Sequence, residues 1–355
     1  MISTLGDKKK GQIKYSDKFI VFGQTKKGRN REEMNSDRQK GILYIVVPCY
    51  NEEEALEISA AKLLDKLHKL TQKELISNKS RIVFVDDGSK DRTWEIIQEL
   101  YKKNEEIKGL RFAHNRGHQN AILAGMMYSR KYCDYTITID ADLQQDINAM
   151  EWFIEAYNDG NEIVYGVRNS RNTDGIFKKF SATLFYKIMQ LMGCDIYENS
   201  ADYRLMSTKA LNALAEYDEV NLFLRGIIPN IGLQSTVVYF DVFPRMQGKS
   251  KYSLSKMFTL AADGITSFSI KPIRMVFAMG ILALLVGVGM IIHIIYEHYF
   301  GYTVSGWSSI LMSIWVLGGA ILLSLGIIGE YVGRNYLETK HRPRYFFWEI
   351  LSRDK

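Results

Sequence analysis

Cysteine is scarce in this 355-residue chain: Cys49, Cys133 and Cys194 are scattered, and no C-x-x-C pair occurs. That argues against a disulfide framework and a zinc site, and it fits a reducing compartment. No G-x-x-x-x-G-K-[ST] segment is present, so this is not a P-loop protein. No G-x-G-x-x-G follows the first apolar run either, so the dinucleotide fingerprint is missing. Near the N-terminus no apolar run follows a basic stretch, which leaves no secretory leader to expect. Charge is missing from two stretches near the C-terminus, 275–296 and 307–328, each 22 residues without Lys, Arg, Asp or Glu.

What is present is a globular composition, 46% hydrophobic and 12% aromatic. The net charge of +6 is local: residues 1–40 hold eleven Lys and Arg against five Asp and Glu, and the other 315 residues carry 35 of each. We expect 1–40 to be a basic, flexible tail, solvated or drawn to anionic lipid heads, and nothing in the pattern calls for nucleic acid. Each uncharged run exceeds the roughly 20 residues that span a hydrocarbon core, so 273–332 is read as a two-helix transmembrane hairpin. Lys271 and Arg274 precede the first run, and Arg334, Lys340, Arg342 and Arg344 follow the second, whereas 297–306 has neither Lys nor Arg. By the positive-inside rule the protein is a multi-pass protein of the cell membrane. Both termini, the soluble part and the basic tail 333–355 are then cytoplasmic. Within 253–272, Leu254, Met257, Phe258, Ala261, Ile265 and Phe268 fall at helical spacing. Leading into a span, they suit an amphipathic helix lying in the interface.

Residues 41–252 alternate strand and helix patterns: strands at 42–48, around "RIVFVDDGS", "GLRFAHN" and "YTITIDAD", and at 162–168. Such alternation predicts an α/β domain with a mostly parallel sheet covered on both faces. Ligands then bind outside the carboxyl ends of the strands. Several polar clusters should gather at that edge: Pro48 to Glu52, Asp86 to Ser89, His114 to Gly117, Asp140 to Gln144, and Arg168. So much acid at one edge asks for a cation or a polar ligand. Oxygen donors on Asp140, Asp142 and Gln144 suit Mg²⁺ or Mn²⁺.

"VVPCYNEEEAL", "VFVDDGSKDRTWEII", "HNRGHQNAILAGM", "DADLQ" and "ADYRLMS", in this order, resemble the family-2 inverting glycosyltransferases of GT-A fold. "NLFLRGIIPNIG", "RMQGKSKYSLSKM" and the two apolar runs are similar to its polyprenyl-phosphate group, the bactoprenol glucosyltransferases and dolichyl-phosphate-mannose synthases. The resemblance covers about 42–335. It implies transfer of a sugar, from UDP-glucose or another UDP-hexose or else GDP-mannose, to a polyprenyl phosphate. It implies a nucleotide site around Pro48, Tyr50, Glu52, Asp86, Asp87, Asn115 and Asp140, and a metal held by Asp140, Asp142 and Gln144. Asp142, Asp202, Arg204 and Arg168 are the implied catalytic set, and Arg168, Arg204, Arg225, Arg245, Lys249 and Lys251 the implied cations around the acceptor phosphate. Asp202 stands where related enzymes keep a base, but a lipid phosphate is already largely ionised, so Asp202 is read as a base or as a positioning group. On that reading Arg204→Ala should cost more than Asp202→Asn. A non-catalytic scaffold of the same fold is the rival from another class, and a homo-oligomer is left open.

Overall fold

The computed structural model describes residues 21–22, 40–169, 200–220, 222–243, 271–300 and 306–353. Residues 253–270 of the predicted interface helix, 1–20 and 23–39 of the N-terminal tail, and the basic residues Arg245, Lys249 and Lys251 lie outside the described residues.

The expected strands and helices form in the expected order. They are β1 (Val21–Phe22), β2 (Leu43–Cys49), α1 (Leu56–Gln72), β3 (Arg81–Asp86), α2 (Thr93–Lys103), β4 (Ile107–Phe112), α3 (His118–Ser129), β5 (Tyr135–Thr138), α4 (Ala149–Asn158) and β6 (Ile163–Arg168). The chain continues through β7 (Ser200–Ser207), α5 (Thr208–Ala215), α6 (Leu224–Asn230), β8 (Ser235–Phe240), α7 (Lys271–Phe300), α8 (Trp307–Thr339) and β9 (Phe347–Leu351). Together the strands make one sheet in the order β1-β8-β6-β7-β5-β2-β3-β4-β9.

Burial on both faces explains the apolar strands. Every residue of β2 is buried, and period 2 divides them between two cores. Leu43, Ile45 and Val47 pack with Leu56 and Leu63 of α1, Trp94 of α2 and Phe153 of α4. Tyr44 and Val46 pack on the other side with Ile122 and Met126 of α3, Leu211 of α5 and Ile227 of α6.

The sheet is mostly parallel, with two additions that the strand–helix alternation does not announce. β7 inserts antiparallel between β5 and β6, Arg204 lying opposite both Thr138 and Tyr165. Because β7 runs backwards, its first residues, not its last, come to the carboxyl edge of β5 and β6. β9 closes the other side of the sheet, antiparallel to β4. The segment read as a basic tail therefore carries an edge strand, and Val21–Phe22, read as part of the N-terminal tail, pairs with β8.

Helices α7 and α8 contain 30 and 33 residues and leave large apolar side chains exposed, Phe277 and Leu322 among them. Among the described residues one span, Leu317–Thr339, is long and apolar enough to cross a membrane.

Candidate active site

The tips of β2 and β3 are laced together. The Asp87 amide donates to Cys49 O (2.9 Å), the Asn51 amide to Ser89 Oγ (3.0 Å) and the Glu52 amide to Thr93 Oγ1 (2.9 Å). Asn51 holds a left-handed φ of 52° to make the turn. Glu52 and Tyr50 stand half-buried at this edge, and Pro48 is buried within β2.

The two aspartates after β3 do different work. Asp86 is fully buried; its Oδ1 accepts from the Ser89 amide at 3.0 Å, and Oδ2 has no hydrogen-bond partner, with Arg111 Nε at 3.4 Å. Burial raises its pKa, which the Ser89 contacts and Arg111 only partly offset. Asp87 accepts from the amides of Arg116 (2.6 Å) and Gly117 (2.9 Å), so it shapes the loop after β4. Gly88 lies against that loop with φ +66°, and a Cβ there would come within 2.8 Å of the backbone of His114 and Asn115. The first amide of α2 is met by Asp91, whose Oδ1 accepts from Thr93 N–H at 3.1 Å. Asn115 is exposed on the same loop.

The D-x-D turn follows β5. Leu143 at φ 44° lets its amide reach back to Asp140 O (3.2 Å), and the Gln144 amide donates to Asp142 Oδ1 (3.2 Å). Gln144 O accepts from the Phe243 amide at 2.8 Å, which ties the turn to the end of β8. The side chain holding Asp140 is Gln145, whose Nε2 donates to Oδ2 at 2.5 Å; its own Oε1 is buried without a partner. Among the described residues no group of three His, Cys, Asp or Glu is placed to hold a metal. Two carboxylates one residue apart, with Asp140 a third exposed, still fit a hard divalent ion. Mg²⁺ or Mn²⁺ completes such a shell with phosphate oxygens and water.

Asp202, at the start of β7, centres an ion cluster. Its Oδ1 accepts from Arg204 Nη2 (2.6 Å) and Arg225 Nε (3.2 Å), and its Oδ2 accepts from Arg225 Nη2 (2.9 Å). His118 Nε2 lies 3.7 Å from Asp202 and 3.5 Å from Asp140, so one imidazole stands between the D-x-D turn and the arginine cluster. Burial of Asp202 favours its neutral form, but Arg225, the neighbouring His118 and Arg204 overcome this and hold its pKa well below the usual carboxylate range. A carboxylate held so firmly ionised is a weak base. His118 is shifted upward: burial pulls it down, and Asp202 and Asp140 more than compensate.

These placements revise the sequence reading. Arg204 is 2% exposed, with Nε lacking any hydrogen-bond partner and its fork turned to Asp202, so it does not present itself to an incoming phosphate. Arg225, 27% exposed, keeps a face toward the edge. Arg168 ends β6 opposite Phe240, half-buried, and does not join the Asp202 cluster. The reading overlooked His118 and Gln145. Their signals were a titratable residue opening a helix after Gly117, whose φ is +93°, and a second amide beside the D-x-D.

A model of glycosyl transferase family 2 matches residues 44–215. The chain is 46% identical over 308 residues to the uncharacterized glycosyltransferase YkoT of Bacillus subtilis (strain 168), covering 86% of this chain and 90% of that protein. It is 39% identical over 306 residues to the bactoprenol glucosyl transferase of Shigella phage SfX, covering 85% and 97%. Glucosyl-3-phosphoglycerate synthase from Mycobacterium tuberculosis aligns with a TM-score of 0.40 and 14% identity, over 64% of this chain and 79% of that one.

Proposed function

The chain belongs to glycosyl transferase family 2 and is a glycosyltransferase, and from that membership we propose that it transfers a hexose from a nucleotide sugar, a UDP-hexose first, to a polyprenyl phosphate. The observation that carries the choice of acceptor is Asp202, locked in its ionised form between Arg204 and Arg225 beside His118. A hydroxyl acceptor needs a base to take its proton. A phosphate acceptor arrives largely ionised, since its second pKa is about 6, and needs cations instead. The bactoprenol glucosyl transferase name of the Shigella phage relative agrees with that acceptor.

In this mechanism a phosphate oxygen attacks the anomeric carbon. The bond from that carbon to the diphosphate breaks, its electron pair leaves with the nucleoside diphosphate, and no proton moves. One in-line displacement inverts the anomeric centre. Asp202 fixes Arg225 by two hydrogen bonds, and Arg225, with Arg168, faces the acceptor phosphate; planar guanidinium forks suit its oxygens. Tyr50 and Glu52 stand half-buried on the nucleoside side, where the Glu52 carboxylate offers an acceptor to a base N–H, and the buried Asp86 shapes the turn beneath them by accepting from the Ser89 amide. Mg²⁺ or Mn²⁺ held by Asp140 and Asp142 would supply counter-charge to the departing diphosphate. Gln145 aims Asp140 for that task. Helices α7 and α8 form a membrane hairpin with both ends cytoplasmic, which sets the site near the height of the lipid head.

Membranes carrying the protein, incubated with labelled nucleotide sugars and polyprenyl phosphate, should yield a lipid-extractable label released by mild acid. Equal transfer to free polyprenol would refute the acceptor assignment.

A further inference from the structure

The end of α8 is bonded to the loop that leads into α6, whose first turn carries Arg225. Glu338, in the last turn of α8, accepts from the Val220 amide through Oε2 at 2.8 Å. His341 takes a left-handed φ of 44°, and its amide returns to Glu338 O (3.1 Å), which stops the helix and turns the chain back. Arg344 then inserts into the same loop: its Nε donates to Glu219 O at 2.8 Å and its Nη2 to Tyr217 O. Tyr217, Leu222, Tyr345 and Phe347 all pack on one core cluster, and the Tyr345 ring stacks on Phe112 at 5.0 Å. Four residues beyond Val220, the Leu224 amide donates to Gln119 Oε1 (2.8 Å), and Arg225 reaches Asp202.

Backbone carbonyls at 217 and 219 and an amide at 220 are thus satisfied by one side chain from the last turn of α8 and one from the segment just past it. The loop's own backbone bonds, from the Tyr217 amide to Leu214 O (3.2 Å) and from the Leu222 amide to Val220 O (3.1 Å), leave those three groups to Glu338 and Arg344, so its placement depends on the end of α8. We infer that Arg344 and Glu338 are positioning residues, which register residues 217–220 against α8 and so set the place of Arg225 for the acceptor. The inference rests on the proposed transfer to a lipid phosphate, because only an acceptor held in the membrane gains from a cation fixed relative to a membrane helix. Neither residue touches the reacting atoms.

The test uses the full chain in detergent or membranes, with Arg344→Ala and Glu338→Ala. A misplacement of about 1 Å can cost up to a hundredfold, so we expect the KM for polyprenyl phosphate to rise roughly tenfold, with the KM for the nucleotide sugar within about twofold. Arg344→Lys should recover part of the loss. In an Arg225→Lys background the effect of Arg344→Ala should largely vanish, because coupled residues are non-additive. An unchanged lipid KM in the folded variants, or full additivity with Arg225→Lys, overturns the inference. If Arg344→Ala fails to fold, Glu338→Ala decides by the same criteria. Hydrogen exchange of residues 217–227 separates this inference from the acceptor reading. Arg344→Ala should accelerate it without any substrate, and unchanged exchange refutes the brace even if wild-type protein transfers no sugar to lipid.

Discussion

Replacing Asp202 by Asn should destabilise the protein by stranding the cations that the carboxylate holds. Asn keeps the shape but removes the charge, and its amide sets a donor where Oδ2 now accepts from Arg225 Nη2 at 2.9 Å. Arg204, 2% exposed, is left as a buried cation whose 2.6 Å contact with Asp202 has lost its charge. Removing one partner of a buried ion pair costs about 3–5 kcal/mol, and for a domain near 200 residues each kcal/mol moves Tm by roughly 2–4 °C. A fall of roughly 10 °C is the central expectation. The pH dependence follows from the sign of the shift. Asp202 has a folded-state pKa depressed below its unfolded value, so its contribution is fully present above about pH 4 and is lost only as pH falls through the folded value. The deficit of Asp202→Asn should therefore persist from neutral pH down to about pH 5, deepening as His118, whose pKa Asp202 helps to raise, takes up its proton, and should shrink only in stronger acid. The double variant Asp202→Asn with Arg204→Met removes the stranded charge and should regain most of the loss. Thermal unfolding of the purified protein, read by tryptophan fluorescence, suffices. A Tm for Asp202→Asn within about 2 °C of wild type would refute the picture of Asp202 as the anchor of a buried cluster.

Asp142→Asn should abolish transfer while leaving Tm close to wild type, and EDTA should do the same reversibly; full activity in EDTA would exclude a metal role for the D-x-D. Glu151 bonds Lys66 Nζ at 2.7 Å, and its pKa is lowered first by that bond, against burial, and further by Lys73. Glu151→Gln should thus lower the urea midpoint at pH 7 and converge with wild type as pH falls through the folded-state pKa of Glu151, whereas a deficit independent of pH would deny the pair its role. Gly88→Ala forces a Cβ to 2.8 Å from the loop backbone at φ +66°; a cost of about 1–3 kcal/mol, together with weaker UDP binding by calorimetry, is expected, and unaltered binding would detach this loop from the nucleotide site. A tag at Gly301 should be reached by impermeant reagents from outside intact cells, and its protection would reverse the topology drawn from the flanking charges.

The central part of the fold was legible because it is written in short-range pattern. Runs such as "LYIVVPC" and "RIVFVD", alternating with amphipathic segments, leave little choice but parallel strands with helical crossovers. β7 was not legible in that way. "SADYRLMS" mixes polar and apolar residues, and its antiparallel insertion between β5 and β6 depends on partners more than 30 residues away in sequence. β9 was hidden for a similar reason. "FWEIL" follows a long apolar helix, and only the return of the chain to β4 makes it a strand, with Glu349 accepting from Trp94 Nε1 at 3.0 Å. Spacing could identify D-x-D as a pair of carboxylates at a strand tip. It could not tell that Gln145, not Gln144, would orient Asp140, because that depends on a left-handed turn at Leu143.

The same long-range geometry changes which experiment can separate a base from a phosphate ligand. Along the sequence, Asp202 and Arg204 are two candidates with two roles, to be separated by substituting each in turn. In the folded chain they hold each other at 2.6 Å, so either substitution disturbs both. Arg204→Ala leaves Asp202 with Arg225 and His118, while Asp202→Asn strands a buried guanidinium; the greater loss will report desolvation before it reports chemistry. The informative position is Arg225, the more exposed cation, joined to Asp202 through two nitrogens. If the acceptor is an ionised phosphate, Arg225→Lys keeps the charge but loses the fork. It should then raise the KM for lipid more than it lowers kcat. If Asp202 were a base, its proton affinity would set the rate, and the same substitution, by loosening the clamp that keeps Asp202 ionised, would move the pH profile of kcat instead.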